Sequence, residues 1–302
     1  LQAKNDPLHN RVIQSRFPPG STFKIIPYLA ARRSDSYDPQ RTFNCDGEFE
    51  LGDHTFRCWK EEGHGDIALD RGLIHSCNVY FYNLVRELGF GPIRSLSEKL
   101  DYGEPTGIDL PDEADPQLST PSLKRSLTGT PWVGGDALNA VIGQGFTLVS
   151  PIKQAQLLGS MITGKYIQPG IRTGSEAILG ESFPPEDPER REKLIETLDD
   201  VADDGTGYWA QHTEDYQRLP MDVMGKTGTI QKVKRDDQED TPPSDAWFVS
   251  AAPKDDPQYV VVVFRIEAGT GGEVAAPHAR EIYQEMAALG YFRENRLDVL
   301  SP

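Results

Sequence analysis

Residues 221–302 differ from the rest of the chain in their periodicity, and this difference limits the fold class. Three segments, at residues 224–230, 245–251 and 259–266, are predicted strands separated by turns, and the last contains the run YVVVVF. Residues 277–289 are predicted to form a closing amphipathic helix. Combined with a mainly helical middle, this order predicts an α+β fold with an antiparallel sheet flanked by helices and a mainly helical subdomain.

Two further blocks precede this region. Residues 1–35 are predicted to form a loop and then a helix at residues 22–33, because a Pro-Pro-Gly turn comes just before the apolar run. Residues 36–220 are predicted to be helical segments joined by Gly/Pro-rich turns, with the clearest helices at residues 77–88 and 151–162. We expect all 302 residues to belong to a single domain.

The charge balance excludes one class of function. The chain has 47 acidic and 31 basic residues, for a formal net charge of -16. Such a chain repels a polyanion, so nucleic-acid binding is excluded. The acidic residues concentrate at residues 181–204 and 236–245, which we expect to be solvated loops and helix faces. No apolar run approaches the roughly 18 residues that a membrane span needs.

Ser21 and Lys24 stand where the helix of residues 22–33 is predicted to begin. Residues three apart share one helix face, so the Lys24 amine can lie beside the Ser21 hydroxyl. A serine becomes a good nucleophile when a neighbouring base takes its proton, and a lysine is such a base when burial lowers its pKa. This S-x-x-K pattern is common by chance. Ser150 and Lys153 form a second copy, which we interpret as an ordinary helix start.

Ser76 and Asn78 open the predicted helix at residues 77–88. Their hydroxyl and amide groups can relay a proton and hold a substrate amide. Taken alone, the pair is more typical of a helix N-cap.

Lys226, Thr227, Gly228 and Thr229 follow Gly225 on the first predicted C-terminal strand. The glycines can let a substrate backbone approach closely, while the lysine and the threonines can bind a carboxylate. The alternative interpretation is a glycine-interrupted strand with one exposed lysine.

The three motifs in this order match the S-x-x-K, S-x-N and K-T-G signature of penicillin-recognising enzymes. The stretch RFPPGSTFK resembles the active-site segment of class B penicillin-binding proteins, and in particular of penicillin-binding protein 2, the elongation transpeptidases. Further segments with the same resemblance lie at residues 57–60, 63–65, 106–111, 142–145 and 246–248. The similarity extends from residue 5 to about residue 289.

The resemblance implies a penicillin-binding, β-lactamase-like transpeptidase fold and a serine acyl-transferase that cross-links peptidoglycan. Ser21 would be acylated by the penultimate D-Ala of a donor stem peptide, with Lys24 as the base. Ser76, Asn78 and Lys226 would complete the proton and hydrogen-bond network. An amine of a second stem peptide would then form the cross-link.

The resemblance also implies how the substrate is held. The backbone amides of Ser21 and Thr229 would form the oxyanion hole. Thr227 and Thr229 would receive the carboxylate of D-Ala or of a β-lactam, which acts as a covalent inhibitor, and Gly228 between them would also be a substrate-binding residue. The chemistry would need no cofactor.

Members of this family place two strands and a helix of the central sheet before the serine helix. This chain starts twenty residues before Ser21, so we expect an incomplete sheet with an exposed edge strand. We also expect the membrane anchor and the non-catalytic pedestal to lie outside this chain. The resemblance implies a position at the periplasmic face of the cytoplasmic membrane, with a SEDS-type glycosyltransferase of the elongation complex as partner.

Cys45, Cys58, His64 and Cys77 have the spacing C-x12-C-x5-H-x12-C. Three thiolates and an imidazole are a good tetrahedral zinc set, although the spacing is looser than that of a zinc finger. Some members of the penicillin-binding protein 2 group resemble this arrangement in having a zinc site beside the S-x-N motif. A Cys45–Cys58 disulfide and three free thiols are the alternatives.

Other functions remain open at this point. A D,D-carboxypeptidase gives the acyl-enzyme to water, and a β-lactamase does so rapidly with a β-lactam. The 150 positions from Ser76 to Lys226 favour a transpeptidase over a compact β-lactamase. A non-catalytic penicillin-binding sensor or scaffold module is the alternative of another class, and the intact motifs argue against it.

Overall fold

Helical segments dominate the first two thirds of the chain, and the longest strands follow them. The computed structural model describes residues 8–172, 178–213, 215, 218–232 and 243–292, without the side chains of residues 178–181. The α-helices of this part are α1 (Arg11–Gln14), α2 (Ile25–Arg32), α3 (Leu69–Ile74), α4 (Asn78–Leu88), α5 (Phe90–Lys99), α6 (Pro121–Thr128), α7 (Gly134–Val141), α8 (Pro151–Thr163), α9 (Pro188–Asp203) and α10 (Ala276–Ala288). Its strands are β1 (Phe43–Cys45), β2 (Glu48–Leu51), β3 (His54–Arg57), β4 (Gly65–Ile67), β5 (Lys165–Gln168), β6 (Ile178–Ser182), β7 (Met224–Ile230), β8 (Asp245–Ala252) and β9 (Tyr259–Arg265).

The central sheet has three antiparallel strands in the order β7-β8-β9 within the described residues. Its register pairs Thr227 with Phe248 and Trp247 with Phe264. Every residue of β8 is buried, because β7 and β9 flank it while α8 and α10 pack against it. β9 lies at one edge of this sheet and is mostly half-buried. The predicted α+β class is confirmed.

Helix α2 anchors the segment that carries Ser21 in the centre of the protein. Gly20–Lys24 forms a 3-10 turn, and α2 continues from it without a break. Residues 25–31 of α2 are all buried, and the helix packs against α3, α4, α5 and α9. The predicted helix at residues 22–33 is therefore confirmed from Ile25 onward, whereas its first turn is the tighter 3-10 form.

Short strands occupy part of the region that was predicted to be helical. β1 pairs with β4 and β2 pairs with β3, so residues 43–67 form two small antiparallel sheets. β5 and β6 form another. The prediction of a mainly helical block at residues 36–220 is wrong for these segments. Strands of three to five residues are too short to show a period-2 pattern in the sequence.

The other predicted helices and strands are confirmed, with each boundary shifted by one residue at most; they are α4, α8, β7, β8, β9 and α10. Most of the acidic stretch at residues 181–204 lies in α9, which buries Leu194 and Leu198 on its inner side. Most of the other acidic stretch, at residues 236–245, lies outside the described residues. None of the helices that the structure describes is long and apolar enough to span a bilayer.

Gly143 sets how closely the serine-bearing turn can approach the loop that follows α7. The Gly20 amide donates a hydrogen bond to the Gly143 carbonyl at 3.0 Å. Gly143 has a φ of 73°, and a Cβ atom there would lie 2.1 Å from the Gly20 carbonyl oxygen. A side chain at this position is excluded by both the backbone conformation and the contact.

We expect Gly143→Ala to lower the free energy of unfolding by about 3 kcal/mol or more, from left-handed strain and overpacking together. Gly129 is the matched control, because its φ is 72° and nothing lies within 4 Å of its added Cβ. Gly129→Ala should cost only the strain, about 1–2 kcal/mol. Urea unfolding followed by circular dichroism measures both, and equal losses would contradict the packing argument.

Candidate active site

Ser21 lies in the Gly20–Lys24 turn at the wall of a cleft of about 510 Å³. The lining residues come from all three sequence motifs and from several loops near them: Ser21, Trp59, Ser76, Asn78, Ile142, Gln144, Gly205, Thr206, Tyr208, Trp209, Thr227, Thr229, Gln231, Ser244, Thr270, Gly272 and Glu273. The sequence motifs are therefore brought together at one cleft.

The Lys24 side chain is completely buried and points toward the loop before α4. Its Nζ donates to the Ser76 carbonyl at 2.7 Å, to Asn78 Oδ1 at 2.7 Å and to Ser76 Oγ at 3.3 Å. Burial lowers the pKa of Lys24 to about 8, and the charges of Cys58 and Cys77 oppose this shift. At pH 7 about one tenth of such an amine is neutral, which is far more than for a lysine in water.

The three contacts of Lys24 Nζ match the three donors of the ammonium form, and the two shortest of them also match a neutral amine. Such an amine has two N–H donors and one lone pair. The two shortest hydrogen bonds, both 2.7 Å, use the two donors on the Ser76 carbonyl and on Asn78 Oδ1. The lone pair is then left to accept a proton from a hydroxyl group, which is what a general base must do.

Ser76 occupies a backbone conformation that is uncommon for a residue with a side chain. Its φ is 54°, and the residue is buried. The N-cap of α4 is Cys77, whose sulfur accepts from the Tyr80 amide, so the interpretation of Ser76 or Asn78 as the N-cap residue is wrong. Strain of this kind persists only where the surrounding structure enforces it, and it occurs mainly at functional sites.

Asn78 connects Lys24 to the small sheets of residues 43–67. Its Oδ1 accepts from Lys24, and its Nδ2 donates to the Arg57 carbonyl at 3.1 Å. Because a carbonyl oxygen can only accept, the Arg57 carbonyl determines which end of the amide faces the lysine. Arg57 begins one of the segments that resemble the family, but it belongs to none of the three catalytic motifs, and no sequence signal indicates a backbone contact of this kind.

Thr227 and Thr229 face the cleft from β7. Thr206, in the turn after α9, lies 2.6 Å from Thr227 through the two Oγ1 atoms. The Gly271 amide donates to Thr229 Oγ1 at 3.2 Å. Thr206 was missed in the sequence because it belongs to no motif and meets Thr227 only through the fold. Both threonines keep hydroxyl groups at the cleft that can bind a carboxylate.

Lys226 is completely buried, so the interpretation of one exposed lysine on a glycine-interrupted strand is wrong. Its Nζ donates to the Thr227 carbonyl at 3.2 Å. Burial and then the charge of Lys24 hold the pKa of Lys226 well below its usual value. The charge of Lys24 therefore acts on Lys226 inside the protein. The predicted contact of Lys226 with a substrate carboxylate stays a prediction.

Gly228 allows β7 to pack against the serine-bearing turn. A Cβ atom at this position would lie 2.8 Å from the Pro19 carbonyl oxygen and 3.0 Å from Thr22 Cγ2. This packing explains why a glycine is required. The prediction that Gly228 makes room for a substrate backbone stays a prediction.

The three cysteines and His64 form one cluster next to the S-x-N loop, which is the segment from Ser76 to Asn78. All three cysteines are free thiols, so the disulfide alternative is contradicted. Both Cys45 Sγ and Cys58 Sγ approach His64 Nδ1, at 3.5 Å and 3.6 Å. The thiol of Cys77 lowers the pKa of Cys45 and of Cys58 through hydrogen bonds, and these bonds raise the pKa of Cys77.

The donor atoms of Cys45, Cys58, His64 and Cys77 all lie within 4.8 Å of one another. Tetrahedral zinc with sulfur bonds of about 2.3 Å needs donors about 3.8 Å apart. Three sulfurs and one imidazole nitrogen are a donor set that zinc binds in proteins. The residues fit this metal if the most distant donor atoms move about 1 Å closer together.

The second S-x-x-K copy lies outside the chemistry. Ser150 caps α8 by accepting from the Lys153 amide, as an ordinary helix start predicts. Lys153 is buried, and its Nζ donates to Gln156. Trp59 is half-exposed and forms part of the cleft wall. Trp247 is fully buried, its Nε1 donates to the Pro18 carbonyl, and it belongs to the core.

The family model for the penicillin binding protein transpeptidase domain matches residues 2–284. The chain is similar to peptidoglycan D,D-transpeptidase MrdA of Haemophilus influenzae, with 30% identity over 96% of this chain and 46% of that protein. The chain spans about half the length of the curated relatives it matches.

Two solved structures share the fold. One is penicillin-binding protein PBP2 of Helicobacter pylori in complex with MreC, with a TM-score of 0.85 and 26% identity over 96% of this chain and 53% of that chain. The other is PBP2 of Pseudomonas aeruginosa in complex with WCK 5153, with a TM-score of 0.81 and 25% identity over 100% of this chain and 68% of that chain.

The hydrogen bond from Lys24 to Asn78 predicts a specific pKa change. Asn78→Asp keeps the shape of the side chain and places a carboxylate 2.7 Å from Nζ. We expect the pKa of Lys24 to rise from about 8 by about 1–3 units. Nitrogen NMR of the lysine side chains measures this shift, with Lys24→Arg used to assign the signal. An unshifted pKa would show that the amine does not contact residue 78.

Proposed function

This chain belongs to the family of penicillin-binding protein transpeptidase domains, and we propose that it is a serine D,D-transpeptidase of cell-wall elongation and shape maintenance. One observation carries the proposal. The buried amine of Lys24, with its pKa lowered to about 8, is held by Ser76 and Asn78, and these two residues line the cleft together with Ser21. This arrangement supports a serine nucleophile activated by a neutral lysine.

The first step is acylation of Ser21. Its Oγ attacks the carbonyl carbon of the penultimate D-Ala of a donor stem peptide, and the hydroxyl proton passes to Lys24 Nζ. The C–N bond to the terminal D-Ala then breaks. The departing nitrogen receives a proton from the Lys24–Ser76 pair, whose Nζ–Oγ distance is 3.3 Å. D-Ala leaves as a free amino acid.

The oxyanion of this step needs donors that are already in place. We propose the backbone amides of Ser21 and Thr229. In support, a Cβ atom on Gly20 would lie 3.4 Å from the Thr229 nitrogen, so the two backbones approach each other here. Thr227 and Thr229 supply hydroxyl donors to the substrate carboxylate.

The second step transfers the acyl group to an amine. The amine of another stem peptide attacks the acyl carbon, a C–N bond forms, the Ser21 ester bond breaks, and Ser21 recovers its proton. When water attacks in place of the amine, the product is that of a D,D-carboxypeptidase. The partition between amine and water therefore distinguishes the two activities.

A β-lactam enters the first step in place of the stem peptide. Its amide bond opens on Ser21, but the leaving nitrogen stays attached, so the acyl-enzyme persists. The substrates imply action at the periplasmic face of the bacterial cytoplasmic membrane. We also propose partners in the elongation machinery, namely a SEDS-type glycosyltransferase and a protein resembling MreC, the partner in the Helicobacter pylori complex.

We propose that Cys45, Cys58, His64 and Cys77 hold a structural zinc ion. The ion would supply no chemistry to the reaction; it would fix the loop in which Cys77 stands between Ser76 and Asn78. The support is the convergence of the four donors within 4.8 Å. Because Arg57 precedes Cys58, the same cluster would also hold the carbonyl that orients Asn78.

Ser21→Ala removes the nucleophile, and we expect complete loss of covalent labelling by a fluorescent penicillin on a denaturing gel. Ser150→Ala is the matched control, since it makes the same change in the second S-x-x-K copy. It should keep the label while losing about 1 kcal/mol of stability through the lost cap of α8. The reverse pattern would assign the chemistry to Ser150.

The zinc proposal predicts one zinc ion per chain by elemental analysis of the purified protein. His64→Ala should reduce the zinc content and the free energy of unfolding, and should slow labelling by penicillin, since Cys77 positions the S-x-N loop. His54→Ala, at an exposed site on β3, is the control and should keep the metal. A protein that contains no zinc after purification in zinc-supplemented buffer contradicts the proposal.

A further inference from the structure

The described residues that line the cleft carry one negative charge and no positive charge. Among the residues of the described part that line it, Glu273 alone carries a formal charge at neutral pH. The two lysines of the motifs, Lys24 and Lys226, are completely buried beneath the surface of the cleft. The remaining lining residues are hydroxyl, amide, aromatic, aliphatic or glycine residues. The described part of the lining therefore presents one carboxylate to a substrate that enters.

The Glu273 carboxylate is held in place by its own turn. Gly271–Ala275 forms a single π turn, a feature common at functional sites. Thr270 Oγ1 donates to Glu273 Oε2 at 2.9 Å and accepts from the Glu273 amide at 3.3 Å. The first of these bonds occupies one carboxylate oxygen, and the other oxygen is free of protein hydrogen bonds within the described residues. The residue is exposed, and none of the described cations pairs with it.

This turn is packed against the residues that face the substrate. The Gly271 amide donates to Thr229 Oγ1 at 3.2 Å. A Cβ atom on Gly272 would lie 2.5 Å from the Thr206 carbonyl oxygen, so the turn also fits closely against the loop after α9. The position of Glu273 relative to the cleft is thus fixed by contacts on both sides.

A fixed carboxylate distinguishes between the two substrates of the proposed reaction. The donor stem peptide ends in a carboxylate, which Glu273 repels. The acceptor brings an amine, which is an ammonium ion at neutral pH and is attracted. Before the amine attacks, it gives one proton to the neutral Lys24 amine, and a second proton passes to Ser21 Oγ as the ester bond breaks. A cleft with one sign of charge raises the local concentration of the opposite charge.

We infer that Glu273 is a specificity-determining residue that binds the ammonium group of the acceptor stem peptide before transfer. The inference rests on the proposed transpeptidase function and adds a binding site for the second substrate to it. Glu273 selects amine-bearing acceptors over water and over anionic molecules.

The test uses a benzoyl-D-alanyl thioester as donor, because its thiolate leaves and an acyl-enzyme on Ser21 remains. Two acceptors compete with water: D-alaninamide, which is largely cationic at pH 7, and hydroxylamine, which is neutral. Chromatography gives the ratio of transfer to hydrolysis at each acceptor concentration. Glu273→Gln keeps a side-chain oxygen that can accept from Thr270. It therefore removes the charge and leaves the turn intact. Glu281→Gln, on the exposed side of α10, makes the same change in net charge.

We expect Glu273→Gln to raise the half-saturating concentration of D-alaninamide about two- to fivefold, the strength of an exposed ion pair. Glu273→Lys should raise it further, and Glu281→Gln should leave it at the value of the unchanged protein. The half-saturating concentration of hydroxylamine should stay the same whatever the charge at residue 273. Equal losses for both acceptors, or no effect on D-alaninamide, would overturn this inference alone. If no acyl-enzyme forms from the thioester, both the inference and the proposed function are overturned.

Discussion

Burying the Lys24 amine costs free energy, and the hydrogen bonds to Ser76 and Asn78 offset part of that cost. All of these acceptors come from one short loop, so the position of the lysine depends on the conformation of that loop. The remaining cost appears as a pKa lowered to about 8. The packing of α2 and the conformation of the S-x-N loop thus act on a single nitrogen atom, and they determine both where it lies and how basic it is.

The loop that holds Lys24 is itself under constraint. Ser76 has a φ of 54°, and a residue with a side chain keeps such a conformation only when its neighbours enforce it. Cys77 supplies part of that constraint, because its sulfur caps α4 by accepting from the Tyr80 amide. The Arg57 carbonyl supplies another part through Asn78. The small sheets of residues 43–67 therefore support the catalytic loop, although they contribute no side chain to the proposed chemistry beyond the cleft wall.

The sequence predicts what depends on local spacing. Lys24 lies three positions after Ser21 on one helical turn, and alternation along β7 places Thr227 and Thr229 on one face, so these features follow from periodicity. Thr206, which meets Thr227 at 2.6 Å, comes from a distant turn and has no local signal. The burial of Lys226 was missed for the same reason. Whether a strand residue faces solvent or a second layer depends on the turn that packs against it, and no pattern within the strand records this.

Two buried lysines in one site constrain each other. The charge of Lys24 lowers the pKa of Lys226, and burial has already lowered both. The protein therefore resists protonation of both amines at once, which favours at least one neutral base in the free cleft. A carboxylate bound by Thr227 and Thr229 brings negative charge to this pair. That charge stabilises the ammonium that forms when Lys24 takes the Ser21 proton. In the proposed reaction, the group that identifies the donor substrate thus also promotes the proton transfer that activates the serine.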